Sequence, residues 1–220
     1  MNISSPNTPG LRDTFQRKER LQELLISCMK ERDALISNNG DSKKVPPLLV
    51  KISPDLSLEE MVELAELLLT INNRIQNNQN VNTSGIDGLV ISNTTTSKDS
   101  LSSPLSPSIG SGGISGRPLF RRAVECIRTM YALTDGTLPI IGVGGVGSGH
   151  DAYEMIRAGA SVIELYTILT YEGPGAVSQI RNELVHLLYT DGHKSVQDAI
   201  GCDHETIYWR KKKKQLLESS

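Results

Sequence analysis

The sequence predicts an α/β fold in which a parallel sheet carries its helices on the outside, best matched by a (β/α)8 TIM barrel. Three observations predict it. Short apolar runs bounded by turn residues alternate with stretches of helical periodicity, the rhythm of parallel strands joined by crossover helices. Polar residues gather where each apolar run ends. A glycine-rich turn after the third run is followed, one unit later, by a Tyr-Thr pair at the end of the fourth, the pairing that builds a phosphate site in barrels.

The elements follow in order. Strands are predicted at PLLVKI (Pro47 to Ile52), DGLVIS (Asp87 to Ser92), PIIGVG (Pro139 to Gly144) and ASVIELY (Ala160 to Tyr166). A helix is predicted over Lys18 to Leu35, where Leu21, Leu24, Leu25, Cys28 and Met29 recur at helical spacing. Another begins at Ser57, whose partner Glu60 three residues later completes a capping box. Further helices are expected at Leu119 to Leu133, Ala152 to Ala158 and Ala176 to Leu188. Alternation alone also allows an open doubly wound sheet; the glycine turn and the Tyr-Thr pair favour the barrel. Two polar Ser/Asn/Pro-rich stretches, 72–85 and 97–113, read as loop insertions, and 205–220 reads as a basic tail.

At 220 residues the chain has room for one domain with a sizeable core. Its 23 basic and 25 acidic residues give a net charge of −2, too balanced for nucleic acid as a main partner. Three scattered cysteines, Cys28, Cys126 and Cys202, suggest neither a disulfide framework nor a CxxC metal site, and a reducing compartment fits them best. Cys202 and His204 in GCDHE lack further ligands at metal-binding spacing. No run is long and apolar enough for a membrane span, and no signal-peptide pattern is present at the start.

The strand ends carry the chemistry. Lys51, then Ser92, Asn93 and Thr94, then GVGGVGSGHDA (Gly142 to Ala152), then Tyr166 and Thr167 all fall on the face where parallel α/β folds bind ligands. The glycine turn, with a helix behind it, suits a phosphate, although a tight turn needs glycines without any ligand. Its spacing matches neither a Walker A loop nor a clean dinucleotide fingerprint. Lys51 leaves a buried strand, so it is either a salt-bridged lysine or one that faces an anionic group. Asn2, Asn7, Asn93 and Thr94 offer amides and hydroxyls to a flat polar heterocycle; an asparagine alone is more often a turn or cap residue. Ser5 lacks a GxSxG elbow, and no histidine is placed for a hydrolase triad.

Six blocks, NISSPNTPGLR, LVKISPDLS, GLVISNTTTS, GGISGRPL, PIIGVGGVGSGHDAYEMIRAGAS and ELYTILTYEGP, stand in the order and approximate spacing of dihydroorotate dehydrogenases, and the chain resembles the quinone-linked class 2 enzymes from Asn2 to about His204. The resemblance implies oxidation of dihydroorotate to orotate in pyrimidine biosynthesis, with FMN as hydride acceptor and quinone as final acceptor: a base takes the C5 proton while hydride leaves C6 for the flavin N5. By position it makes Ser5 the base, where class 1 enzymes have cysteine, with Thr8 in its proton relay. Asn2, Asn7, Asn93 and Thr94 match orotate-binding positions, and Asn2 also touches the flavin. Lys51, Ser92, Gly116, Gly145, Tyr166 and Thr167 match FMN contacts, Ser92 standing where many relatives have threonine.

The resemblance further implies a mitochondrial inner membrane location, or a bacterial inner membrane as the alternative, with ubiquinone and membrane contacts made by an N-terminal region outside this sequence. Roughly four strand–helix units follow Asn2, where a closed barrel has eight. The resemblance thus makes residues 1–204 the C-terminal portion, about half, of the (β/α)8 barrel; an open half barrel exposes sheet edges and an apolar face, so the chain alone is expected to be inactive and to be unstable, aggregate or self-associate. The alternatives are an inactive fragment that keeps an FMN or phosphate site, and another FMN barrel such as a dihydropyrimidine dehydrogenase domain or a dihydrouridine synthase. The SSPNT and SNTTTS blocks argue against the last two.

Overall fold

Strands β1 (Leu49–Ile52), β2 (Gly88–Ile91), β3 (Ile140–Val143) and β4 (Val162–Glu164) lie side by side in chain order and are parallel throughout. They are seen in a computed structural model that describes residues 1–8, 18–37, 46–77, 85–99, 101 and 112–205. The segment Met1 to Ile3 extends the sheet beyond β1. Lys51 donates its N–H to the Met1 carbonyl at 2.8 Å and accepts from the Ile3 N–H at 3.3 Å, so Asn2 sits beside Lys51.

Seven helices join the strands among the described residues: α1 (Lys18–Ser37), α2 (Leu58–Asn77), α3 (Phe120–Leu133), α4 (Gly149–Ala158), α5 (Thr167–Glu172), α6 (Gly175–Thr190) and α7 (Val196–Ala199). The predicted capping box starts α2: Ser57 N–H donates to Glu60 Oε2 at 2.7 Å, and Glu60 N–H to Ser57 Oγ at 3.2 Å. The helix runs further than expected, through Asn72 to Asn77. Asn72 explains part of this, because its side-chain amide holds both the N–H and the carbonyl of Ile86 at 2.9 Å, as a neighbouring strand would. Residues 78–84, 100, 102–111 and 206–220, which hold the rest of both insertions and the tail, lie outside the described residues.

One face of the sheet is packed and the other is open. Val50, Ile52, Leu89, Ile91 and Ile140 point at the helices and are buried with Leu25, Leu68, Ile127, Met130 and Met155. Alternation sends Lys51, Val90, Ile141, Val162 and Glu164 to the opposite face. There Val162 is 56 % exposed, and β4 pairs with a single neighbour. Nothing among the described residues covers the inner face at β4, in agreement with the exposed apolar face expected of an open half barrel. An unpaired strand edge beside exposed apolar surface promotes association. We expect the isolated chain to self-associate at micromolar concentration and Val162→Lys to shift it toward monomer in sedimentation velocity.

At the far end of the chain, Asp203 accepts Arg128 at 2.7 Å and Arg157 at 2.8 Å, tying the last turn to α3 and α4. His204 adds a ring contact with Tyr131 and lies 3.0 Å from the Ala158 carbonyl. Phe120, 1 % exposed, anchors the start of α3 beneath the glycine-rich turn. Phe120→Ala should cost about 3–5 kcal/mol, the usual scale for an emptied aromatic site, read as a lower urea midpoint. Among the described residues no helix is long and apolar enough to cross a membrane.

Candidate functional site

The C-terminal ends of the first strands assemble a network of amides and hydroxyls. Asn2 Oδ1 accepts the Ser4 N–H at 3.1 Å, the Ser4 hydroxyl at 3.2 Å and Asn93 Nδ2 at 3.2 Å. Ser4 Oγ accepts from Asn93 Nδ2 at 3.2 Å, and its one hydrogen lies within reach of the Lys51 carbonyl, at 3.0 Å, as an alternative to Asn2 Oδ1. Asn93 Oδ1 in turn holds the Thr94 N–H at 2.8 Å, forming the turn that ends β2. These bonds fix the amide orientations across three chain segments. The half-buried Lys51 side chain has no ion-pair partner among the described residues, and its ammonium faces the cleft beside them.

Asp55 holds the next turn in place. Its carboxylate accepts the Thr95 hydroxyl, the Thr96 N–H at 2.9 Å and the Thr96 hydroxyl at 3.1 Å. Thr95 and Ile114 exchange backbone hydrogen bonds, joining the two ends of the second insertion. This brings Gly113 against Thr94: a Cβ there would meet Thr94 Oγ1 at 1.8 Å and Pro6 Cγ at 3.0 Å. Only glycine lets the turn around Ser5, Pro6 and Asn7 close on Thr94.

The ends of β3 and β4 present backbone instead. Gly144 and Gly145 both have positive φ, at 133° and 73°, and a Cβ on Gly145 would fall 2.5 Å from the Gly116 carbonyl. Two main chains from different units therefore touch, which only glycine permits. No hydrogen bond among the described residues uses the N–H of Gly145 or Val146. Behind them α4 starts with Ser148 as N-cap, its hydroxyl accepting the Asp151 N–H at 3.2 Å. Opposite, the Thr167 hydroxyl donates to Ser115 Oγ at 3.1 Å, drawing the start of α5 to Gly116. Free N–H groups at a helix start make an anion cradle.

Asp151 supports the glycine turn from below, accepting the Gly147 N–H at 3.0 Å and Arg117 at 2.6 Å. Burial pushes its carboxyl up, but the Arg117 guanidinium, the Gly147 N–H and the Ser148 hydroxyl outweigh burial and hold it below the ordinary aspartate range.

Amide network and cradle share one cleft of about 500 Å³, a volume typical of small-molecule sites. Of the residues singled out from the sequence, Lys51, Ser92, Asn93, Thr94, Gly116, Gly145, Tyr166 and Thr167 line it. Asn2 joins through its bond to Asn93. Ser5, Asn7 and Thr8 do not line it: Ser5 is half-buried, its Oγ accepting the Asn7 N–H at 3.3 Å, while Asn7 and Thr8 are exposed.

The family model described as dihydroorotate dehydrogenase matches residues 1–188. The chain belongs to the dihydroorotate dehydrogenase family. It is 46 % identical over 205 residues to a relative from Mus musculus and 44 % identical over 204 residues to one from Arabidopsis thaliana, both named "Dihydroorotate dehydrogenase (quinone), mitochondrial". Each match covers 93 % of this chain, with 47 % of the mouse protein and 41 % of the Arabidopsis one. A solved structure described as DHODH in complex with ferulenol from Eimeria tenella superposes with a TM-score of 0.79 at 38 % identity, covering 93 % of this chain and 53 % of that one. The chain thus spans about half the length of these dihydroorotate dehydrogenases.

Family membership draws attention to residues that sequence reasoning passed over. Ser4 is buried at the centre of the amide network, whereas the sequence offered two adjacent serines and singled out the second. Strand alternation was the available signal, since Asn2 and Ser4 share a face. Asp55 and Arg117 carried none, because their partners lie 34 to 41 residues away, whereas Asp151 stands three residues after its N-cap Ser148, a capping spacing the sequence reading did not use.

Proposed function

We propose that the chain supplies the substrate-binding and phosphate-binding part of a quinone-linked dihydroorotate dehydrogenase, oxidising (S)-dihydroorotate to orotate with FMN. The observation that carries this reading is the single cleft, which joins a hydrogen-bonded amide network with a lysine at one end to a glycine cradle with free N–H groups at the other.

The residues present fit FMN. Gly145 and Val146 offer unused N–H donors to a phosphate, and Gly116 and Thr167 close the opposite side. Lys51 brings a positive charge to the end of the cleft where the amides stand, suited to a ring that gains electrons. When bound, FMN supplies the hydride-accepting ring. The chain's own residues do the rest. Asn2, Asn93 and Thr94 present donors and acceptors in orientations already fixed by their mutual bonds, so little reorganisation is needed when a planar pyrimidine ring docks. Ser5 removes the C5 proton. An alcohol is a weak base at neutral pH, so the serine must pass its own proton on, and Thr8, three residues along, is the relay residue the family pattern indicates.

In this reading the strand–helix units that complete an eight-unit barrel, and the quinone site, correspond to the half of the relatives that the chain does not match. Names of relatives favour the mitochondrion, where the assembled enzyme would meet ubiquinone at the inner membrane; bacterial quinone-linked relatives make a bacterial inner membrane the alternative. The deciding experiment adds dihydroorotate anaerobically to FMN and the chain, alone and with the part of the mouse relative that the chain does not match. Bleaching of the flavin band in the complemented sample, and none with the chain alone, is the expected result. Bound flavin that never bleaches in the complemented sample would leave only a binding module.

A further inference from the structure

Among the described residues Asp151 is the one carboxylate hydrogen-bonded to both walls of the cradle. It is 7 % exposed, and its two oxygens serve different chain segments. Oδ2 accepts the Gly147 N–H of the glycine turn, whereas Oδ1 accepts Arg117 from the turn that begins at Gly116. Arg117 lies with its guanidinium carbon 4.7 Å from the Phe120 ring centre, and Phe120 packs directly beneath Gly145. The two walls meet where the Gly145 backbone approaches the Gly116 carbonyl. Arg117 also lines the cleft.

A carboxylate beside an anion site is unfavourable unless its charge is taken up elsewhere. Here a cation and a backbone N–H take it up. Arg117 itself is 64 % exposed, so as a surface ion pair it would contribute little to stability. Its place in the fold is explained better by geometry: it is the remaining link between Asp151 and the Gly116 wall. A plain helix cap would need Ser148 and the Gly147 contact alone.

We infer that Asp151 and Arg117 form a two-ended clamp that sets the spacing of the Gly116 and Gly144–Gly147 walls and screens the carboxylate from the ligand, so that the cradle selects a phosphate monoester dianion. Asp151 and Arg117 are positioning residues, since neither needs to touch the phosphate. The inference rests on the flavin nucleotide reading for the identity of the ligand, and on the contacts alone for the clamp.

The test compares the 220-residue chain with Arg117→Ala and Asp151→Asn by amide hydrogen exchange without ligand, and by fluorescence titration with FMN and with riboflavin, which lacks the phosphate. Arg117→Ala leaves the helix cap untouched. The clamp predicts that it nonetheless accelerates exchange up to about fivefold in both 114–119 and 142–149, the upper range of an exposed ion pair. FMN binding should weaken about tenfold in Arg117→Ala, with riboflavin binding unchanged, and Asp151→Asn combined with Arg117→Ala should recover part of that loss because the unscreened charge is gone. Acceleration confined to 114–119 would overturn the clamp and reduce Asp151 to a cap. A wild-type chain that prefers FMN no more than riboflavin would instead overturn the flavin nucleotide reading, while the exchange data still decide the clamp. Thermal melts of each variant identify any loss of exchange protection that comes from global unfolding.

Discussion

Replacing Ser5 with alanine in the complemented enzyme is expected to lower the rate of flavin reduction by dihydroorotate by about 10²–10⁴-fold, the range contributed by a positioned general base. Binding should change much less, because Ser5 does not line the cleft and its Oγ is engaged with the Asn7 N–H. The substitution removes one hydroxyl from a turn that Gly113 and Pro6 hold in place, so the fold has little reason to respond. Ser5→Cys separates base from bystander. A thiol ionises near pH 8.5, far below an alcohol, so its basic form is populated at lower pH. If Ser5 is the base, the cysteine variant recovers part of the lost rate and its pH–rate profile rises at lower pH than that of the native enzyme. Stopped-flow bleaching across pH reads both effects. An alanine variant that reduces flavin at the native rate would remove Ser5 from the chemistry and turn attention to Ser4, whose hydroxyl is at the centre of the amide network.

The second large effect falls on Gly145. Alanine there must take a φ of 73° and place a Cβ 2.5 Å from the Gly116 carbonyl, with Phe120 Cβ at 2.9 Å on the other side. Neither neighbour is a flexible side-chain end, so the two walls must part. We expect Gly145→Ala to lose FMN binding by about a hundredfold or more and to destabilise the protein by about 1–3 kcal/mol, the scale of a residue forced into an unfavourable backbone region. Ligand titration and a urea midpoint measure the two separately. Gly173→Ala is the control, since its φ is similarly positive, at 63°, but its Cβ would meet nothing within 4 Å. It should share part of the stability cost and none of the binding loss.

These residues were legible in the sequence to different degrees, for physical reasons. The parallel sheet and the positions of Lys51, Asn93, Thr94, Tyr166 and Thr167 followed from strand length and from the rule that parallel strands end on one face, which depend on local pattern. Gly145 followed from a turn whose backbone demands are local too. The strands proved shorter than predicted, β4 being Val162–Glu164 where Ala160 to Tyr166 was expected, because apolar character continues past the last ladder bond. The asparagines at 72 to 77 look like loop by composition, yet a tertiary contact from Asn72 to Ile86 helps keep them in α2. Asp55 and Asp151 look like ordinary surface carboxylates until the fold delivers threonines and an arginine from distant units. The exposed inner face was expected from the unit count, roughly four strand–helix units where a closed barrel has eight, whereas only the packing shows which residues it exposes, Val162 among them.

The proposed binding mode has one cleft holding a flavin by its phosphate at the Gly145 end and its ring at the Lys51 end. Comparative titration of the chain with FMN and riboflavin tests it most directly, with Lys51→Met and Gly145→Ala alongside. This binding mode predicts that FMN binds at least about tenfold more tightly than riboflavin, since the phosphate gains charge-assisted hydrogen bonds from the cradle. It also predicts that Gly145→Ala removes this preference, while Lys51→Met weakens both ligands together. Equal binding of the two flavins, or a preference for FMN that survives Gly145→Ala, would contradict it.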